Sequence, residues 1–202
     1  MRIGFDFDNT IVSYDALFHK VALEQGLIDH TIPVNKLAVR DYLRATDREP
    51  IWTEMQGYVY GGRMNEAHAY PDALNVMERM KRAGHTLIIV SHKTKHPYLG
   101  KQYDLHAAAR GWIENHLLDQ HGSKLIPPEQ VYFELTKEEK LTRIHQLNCD
   151  VFIDDLPEIL LAANFPNNTH RYLFDPEQHH QDAILPNIKI VSSWPAFESY
   201  LL

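Results

Sequence analysis

Met1-Arg2-Ile3-Gly4-Phe5-Asp6-Phe7-Asp8-Asn9-Thr10-Ile11-Val12 is the stretch whose reading decides the fold. An apolar lead-in, Ile3 and Phe5, runs into two carboxylates two positions apart. In an extended strand side chains return to one face every second residue, so Asp6 and Asp8 leave the backbone on a similar side. They stand where the apolar run ends, which is where a parallel strand leaves its sheet and where open α/β folds gather ligands. Neighbouring carboxylates repel, so stability alone gives no reason to keep them close. A hard divalent cation removes the conflict, because Mg²⁺ takes one or two carboxylates together with phosphate oxygens. Taken alone, the two acids also suit a strand end followed by a turn.

Working outward, Pro71-Asp72 starts a helix whose apolar face is Ala73, Leu74, Val76, Met77 and Met80. Ala83-Gly84 stops it, and His85 to Val90 reads as a buried strand ending at Ser91. His92-Lys93-Thr94-Lys95-His96 follows, a polar basic loop that suits either a grip on substrate oxygens or a solvated turn. Gln102 to Gln120 carries a broad apolar stripe with helical spacing. Further strands are expected at Glu129–Phe133, Asp150–Ile153, Arg171–Phe174 and Ile188–Val191. Thr136 with Glu139 forms a capping-box pattern opening a helix over Lys137–Leu147. Helices at Pro157–Phe165 and Trp194–Leu202 complete the alternation, which predicts an α/β fold with a parallel sheet covered on both faces.

Residues 13–70 break this rhythm. Ser13–Gly26, with Leu17, Phe18, Val21 and Ala22 on one face, and Val34–Leu43, with Leu37, Ala38 and Tyr42, read as amphipathic helices. The stretch 51–70 is rich in aromatics, and Gly57 and Gly61-Gly62 are turn or hinge candidates. The expected organisation is a core of residues 1–12 and 71–202 with a small, mainly helical insertion at 13–70. Trp52, Tyr58 and Tyr60 offer rings for stacking on a base, or a core for the insertion. His179-His180 is a weak metal signal beside the simpler reading of a polar loop.

The composition is that of a globular domain, with 44% hydrophobic and 23% charged residues. A net charge of −7 gives no basic footprint for a nucleic acid polymer. One cysteine, Cys149, leaves no internal disulfide and fits a reducing compartment. Acids interrupt the first apolar run, so no secretory signal is read, and no stretch is long and apolar enough to span a bilayer. A cytoplasmic protein without a membrane partner is expected; the sequence sets no oligomeric state.

FDFDNTIV resembles the first motif of the haloacid dehalogenase-like (HAD) hydrolases, apolar residues followed by Asp-x-Asp-x-Thr. The strand ending at Ser91 resembles the second motif, and Asp154-Asp155 after an apolar strand the fourth. For the third, a lysine early in the preceding helix, the Lys137-to-Leu141 spacing favours Lys137, with Lys140 the competitor. The resemblance implies a Rossmann-like three-layer parallel sheet with a cap. It implies Asp6 as nucleophile, Asp8 as acid and base, and Lys137 as the cation offsetting repulsion between Asp6 and a phosphate. Ser91 and main-chain amides after Asp6 would hold phosphoryl oxygens, with Thr10 counted among them and supporting the loop; His92 and Lys93 join these candidates from the basic loop, where a solvated turn is the alternative. Mg²⁺ would be held by Asp6, the Asp8 carbonyl and one of Asp154 and Asp155, with Asp155 favoured. The acid at position 8 sets the chain apart from the dehalogenases, which need none there. The implied activity is a Mg²⁺-dependent phosphatase acting on a sugar phosphate or nucleotide monophosphate. A phosphomutase or phosphotransferase would use the same residues, and a non-catalytic phospho-ligand binding module or an assembly subunit is the alternative from another class.

Overall fold

The computed structural model describes residues 1–180, 183 and 185–201. Among the described residues eight strands are formed: β1 (Arg2–Phe5), β2 (Val12–Ser13), β3 (His68–Ala69), β4 (Thr86–His92), β5 (Val131–Glu134), β6 (Val151–Asp154), β7 (His170–Phe174) and β8 (Ile188–Val191). Eight α-helices accompany them: α1 (Asp15–Glu24), α2 (Lys36–Ala45), α3 (Glu49–Gly57), α4 (Ala73–Arg82), α5 (Leu105–His116), α6 (Lys137–Gln146), α7 (Pro157–Leu160) and α8 (Trp194–Glu198). The six longer strands form one parallel sheet in the order β5-β4-β1-β6-β7-β8, and β2 pairs with β3. The fold is therefore the α/β, Rossmann-like parallel sheet that the strand–helix alternation predicts.

The chain separates into two compact units. The first comprises Met1–Val12, Ala69–Lys93 and His116–Leu202; the second comprises Ser13–His68 and Thr94–Asn115. In the first unit, strand alternation sends side chains to two covered faces. Ile88, Val90, Phe152 and Leu173 meet Leu141 and Ile144 of α6 and Ile159 and Leu160 of α7. Their neighbours go the other way: Phe5 stacks on Trp194 with ring centroids 5.4 Å apart, and Tyr172 meets Phe197 at 5.0 Å. The helix α4 lies against α8 and β4, with Arg79 ion-paired to Glu198. Each large side chain so buried contributes about 1.5–3 kcal/mol. Gly4 belongs to the first face, where a Cβ would lie 2.5 Å from the Phe152 ring, so the central strand carries no side chain there.

The second unit buries Leu17, Phe18, Val21 and Ala22 from α1 as the sequence periodicity predicts. From α2 it buries Val39 and Leu43, one step round from the expected Leu37, Ala38 and Tyr42. Trp52 packs on Phe18 at 4.9 Å, and Tyr60 stands edge-on to Tyr14 at 4.8 Å, so both rings belong to this core. Tyr58 instead lines, with Tyr103, a cavity of about 300 Å³. A π-helical turn, Tyr58–Gly62, continues α3. The sequence reading places residues 94–115 with residues 71–202, whereas they cluster with 13–68. The reason is contact: the Trp112 indole donates to the Ala67 carbonyl at 2.9 Å, and Tyr103 and Pro97 lie on glycine backbone. A Cβ on Gly61 would come 2.4 Å from Tyr103, and one on Gly57 2.6 Å from Pro97. These glycines are seats for a packed segment rather than turns.

Several predicted boundaries contract. The expected Gln102–Gln120 helix forms over Leu105–His116, and Pro157–Phe165 over Pro157–Leu160. The last helix ends at Glu198, and Leu202 lies outside the described residues. Among the described residues no helix is long and apolar enough to cross a membrane.

Candidate active site

The register of the sheet assembles the site. Phe5 pairs with Ile153 on one side and Ile89 on the other. Asp6, one residue on, therefore stands beside Asp154 at the carboxyl ends of adjacent strands, and its amide donates to the Ile153 carbonyl at 2.9 Å. Two acids at strand spacing, both nearly inaccessible, need a cation between them. Lys140 provides it. Its side chain is 1% exposed, and its Nζ lies 2.6 Å from Asp6 Oδ1 and 2.6 Å from Asp154 Oδ2. Helix α6 delivers it: Lys140 shares the buried face with Leu141 and Ile144, and the capping box of Thr136 and Glu139 fixes where the helix begins. Ser91 completes the cluster, donating its hydroxyl to Asp6 Oδ1 at 2.8 Å.

After Asp6 the chain turns sharply. The amides of Ile11 and Val12 both donate to the Phe7 carbonyl, Asn9 donates to the Val12 carbonyl, and Asn9 takes a left-handed φ of 58°. Asparagine tolerates that conformation better than most residues. The turn presents Asp8, whose Oδ2 lies 2.6 Å from Lys93 Nζ.

Burial pushes the Asp6 carboxyl up to about 7; Lys140 opposes the rise, while Asp154 and Asp8 add to it. For Lys140 burial favours the neutral amine, but the two carboxylates beside it outweigh that and hold the ammonium above its ordinary value. The Cys149 thiol, buried in the sheet–helix core away from these groups, is pushed up to about 11 by burial.

The residues singled out from sequence divide accordingly. Asp6, Ser91 and Asp154 are linked by ion pairs or hydrogen bonds into a cluster completed by Lys140, and Asp8 and Lys93 form an ion pair of their own, with the Asp8 charge felt at Asp6. Lys137 is not among them: it lies at the exposed start of α6 and pairs with Glu158. The favoured lysine is thus displaced by its competitor, because the first turn of α6 lies at the surface and the side chain one turn later reaches the buried strand ends. His92 is also turned away, its Nε2 lying 3.1 Å from the Leu135 carbonyl, since period-two alternation separates it from Ser91 and Lys93. Thr10 is fully buried, with its hydroxyl unpartnered among the described residues and its carbonyl accepting from Trp194 Nε1 at 3.1 Å. Its carbonyl thus ties the loop to the core.

Carboxylate oxygens of Asp6, Asp154 and Asp155 all lie within 4.8 Å of one another, the one such metal-capable group among the described residues. An all-oxygen, multiply charged donor set suits a hard cation such as Mg²⁺. The Asp8 side chain is not part of that group. The two histidines with a weak metal signal lie outside that group: the His179 ring is 2.8 Å from Glu177, and the His180 amide donates to Asp175 Oδ2 at 2.7 Å.

No family model matches the chain, and no curated sequence matches it. Solved structures do. A HAD family hydrolase from Deinococcus radiodurans R1, with bound phosphate and sodium, aligns with a TM-score of 0.59 at 16% identity over 99% of this chain and 94% of its own. A predicted phosphoglycolate phosphatase from Haemophilus somnus 129PT aligns with a TM-score of 0.55 at 14% identity, covering 100% and 97%. A dehalogenase aligns with a TM-score of 0.53 at 16% identity, covering 100% and 96%. At such identities the likeness speaks for the architecture. The chain has the fold of the haloacid dehalogenase-like hydrolases.

Proposed function

We propose that this chain is a Mg²⁺-dependent phosphatase that hydrolyses a small phosphorylated metabolite through an aspartyl-phosphate on Asp6. The observation that carries the reading is the buried Asp6, held on one oxygen by both Lys140 and Ser91 at the ends of adjacent parallel strands. Both bonds fall on Oδ1, which leaves Oδ2 to attack phosphorus. The bond from phosphorus to the leaving oxygen breaks as the new one forms, and Asp8 protonates that oxygen. Water then attacks the phosphoryl group, Asp8 takes its proton, and the Asp6 carboxylate is restored with release of phosphate. Ser91, Lys93 and main-chain amides of the turn after Asp6 hold the phosphoryl oxygens, and Lys140 lowers repulsion between carboxylate and dianion.

The metal ligands in this reading are Asp6, the Asp8 carbonyl and Asp155. Asp154 is held on both oxygens, by Lys140 and by the Leu156 amide at 3.0 Å, and Asp155 lies in the same carboxylate group. When bound, the cation supplies charge neutralisation and aligns substrate with nucleophile. The second unit, with 13–68 at its centre, is read as the cap that selects among substrates.

The test is phosphate release from sugar phosphates, nucleotides and p-nitrophenyl phosphate, with Mg²⁺, with EDTA, and with Asp6→Asn. Release that needs both metal and Asp6 supports the reading, and the preferred compound names the substrate class. A folded protein that binds Mg²⁺ and releases phosphate from none of them overturns it.

A further inference from the structure

We infer that Lys93 and Asp8 form an exchangeable latch: the Lys93 ammonium, bound to Asp8, passes to the entering phosphoryl dianion and frees the Asp8 carboxylate, which takes a proton from water and then gives it to the leaving oxygen. The inference rests on reading this site as a phosphoryl site and goes beyond it, because it assigns one lysine two successive partners.

The geometry is unusual for a lysine. Its side chain is 4% exposed, whereas Asp8, 2.6 Å away, is 22% exposed. Lysine is rarely buried without an anion beside it, and here the anion is the more accessible member of the pair. The backbone of Lys93 is anchored, its amide donating to the Glu134 carbonyl at 2.9 Å, and its ammonium lies 5.7 Å from the Phe7 ring centroid. Asp8 stands on the hydrogen-bonded turn after β1. The buried group is the cation and the solvent-facing group is the carboxylate. An ammonium has three N–H donors without acceptor capacity, so a phosphoryl oxygen can take over a donor that Asp8 gives up. Strand alternation places Lys93 on the same side as Ser91, whose hydroxyl is already on Asp6. A phosphoryl group held by Ser91 is thus within the reach of one lysine side chain.

A double-mutant cycle on phosphate affinity separates exchange from simple repulsion. Inorganic phosphate is titrated calorimetrically into the Mg²⁺-loaded wild type, Asp8→Asn, Lys93→Gln and the double variant. Exchange predicts that Asp8→Asn tightens phosphate about tenfold and that the gain falls to about twofold or less when Lys93→Gln is also present, a coupling of the size expected for groups in contact. Repulsion by Asp8 alone predicts the same tightening in both backgrounds, and that result overturns the latch. So does an Asp8→Asn variant that binds no tighter than wild type, or a wild type that takes up no phosphate at millimolar concentration. Lys93→Arg, which keeps the charge, should recover most of the coupling, and circular dichroism verifies that each variant is folded. Wild-type hydrolysis with an additive cycle removes the latch and leaves the phosphatase reading standing.

Discussion

Replacing Lys140 by methionine removes the cation that pairs with two buried acids, and its cost can be worked from the geometry. The Asp6 and Asp154 side chains are 7% and 0% exposed, each 2.6 Å from the ammonium. Stranding a buried charge in this way costs about 3–5 kcal/mol. In a chain of this size that lowers the melting temperature by about 6–20 °C. Lys137→Met is the matched control. Its partner is Glu158, the two side chains are 45% and 60% exposed, and such a pair is worth about 0–1 kcal/mol.

The loss depends on pH in a definite direction. With the ammonium present, the folded-state Asp6 carboxyl stands at about 7, above its ordinary 3.8. Without Lys140 it rises further, so the folded variant binds protons that the unfolded chain does not. Its stability therefore increases as pH falls, and the gap to wild type is wider at pH 8 than at pH 5. Thermal melts in EDTA read this directly, since a bound cation would otherwise substitute for the ammonium. Turnover should fall by about 10²–10³ for Lys140→Met, the cost of losing one preorganised donor, while Lys137→Met stays near wild type. Equal destabilisation by the two substitutions, or a gap that widens toward acid, refutes the assignment of Lys140.

Asp6→Asn should abolish turnover yet raise the metal-free melting temperature above pH 7. The gain shrinks as pH falls through 7 and is gone below 3.8, because the wild-type carboxyl is then protonated in both states. A variant less stable than wild type at pH 8 in EDTA contradicts the burial argument. Gly61→Ala should destabilise the second unit by about 1–3 kcal/mol, since its Cβ would lie 2.4 Å from the Tyr103 Cβ, an atom that ring rotation does not move. Gly111→Ala, within α5 and with nothing near the added Cβ, should stabilise by about 0.5–1 kcal/mol; denaturant melts of both variants check the opposite signs.

The parallel sheet was legible because each strand announces itself locally. Ile3 and Phe5, Leu87 to Val90 and Val151 to Ile153 are apolar runs of strand length bounded by turn residues, and their alternation with helical segments leaves few other architectures. The assignment of residues 94–115 was not legible, because no local pattern carries it. It depends on Pro97, Tyr103 and Trp112 meeting Gly57, Gly61 and Ala67, contacts that span roughly 40 residues of sequence. The glycines were visible, but a glycine that ends a turn and a glycine that accepts a ring on its backbone read alike until the partner is known.

At the site, the acids could be found from sequence and the lysine could not, for a physical reason. Asp6 and Asp154 are fixed by strands, where an apolar run followed by an acid places the acid at the sheet's end without ambiguity. The lysine is fixed by a helix, and there both candidates satisfy the period: Lys137 stands four residues before Leu141, Lys140 four before Ile144. Periodicity says which way a side chain points round the axis but not how far along it the buried carboxylates lie. That distance is set by the packing of α6 against β4 and β5, which puts its first turn at the surface and its second over the strand ends. The Lys93–Asp8 pair was within reach of a stricter reading. Period two from Ser91 selects Lys93 and rejects His92, so the basic loop contributes one buried ammonium, paired with Asp8, rather than a general positive surface.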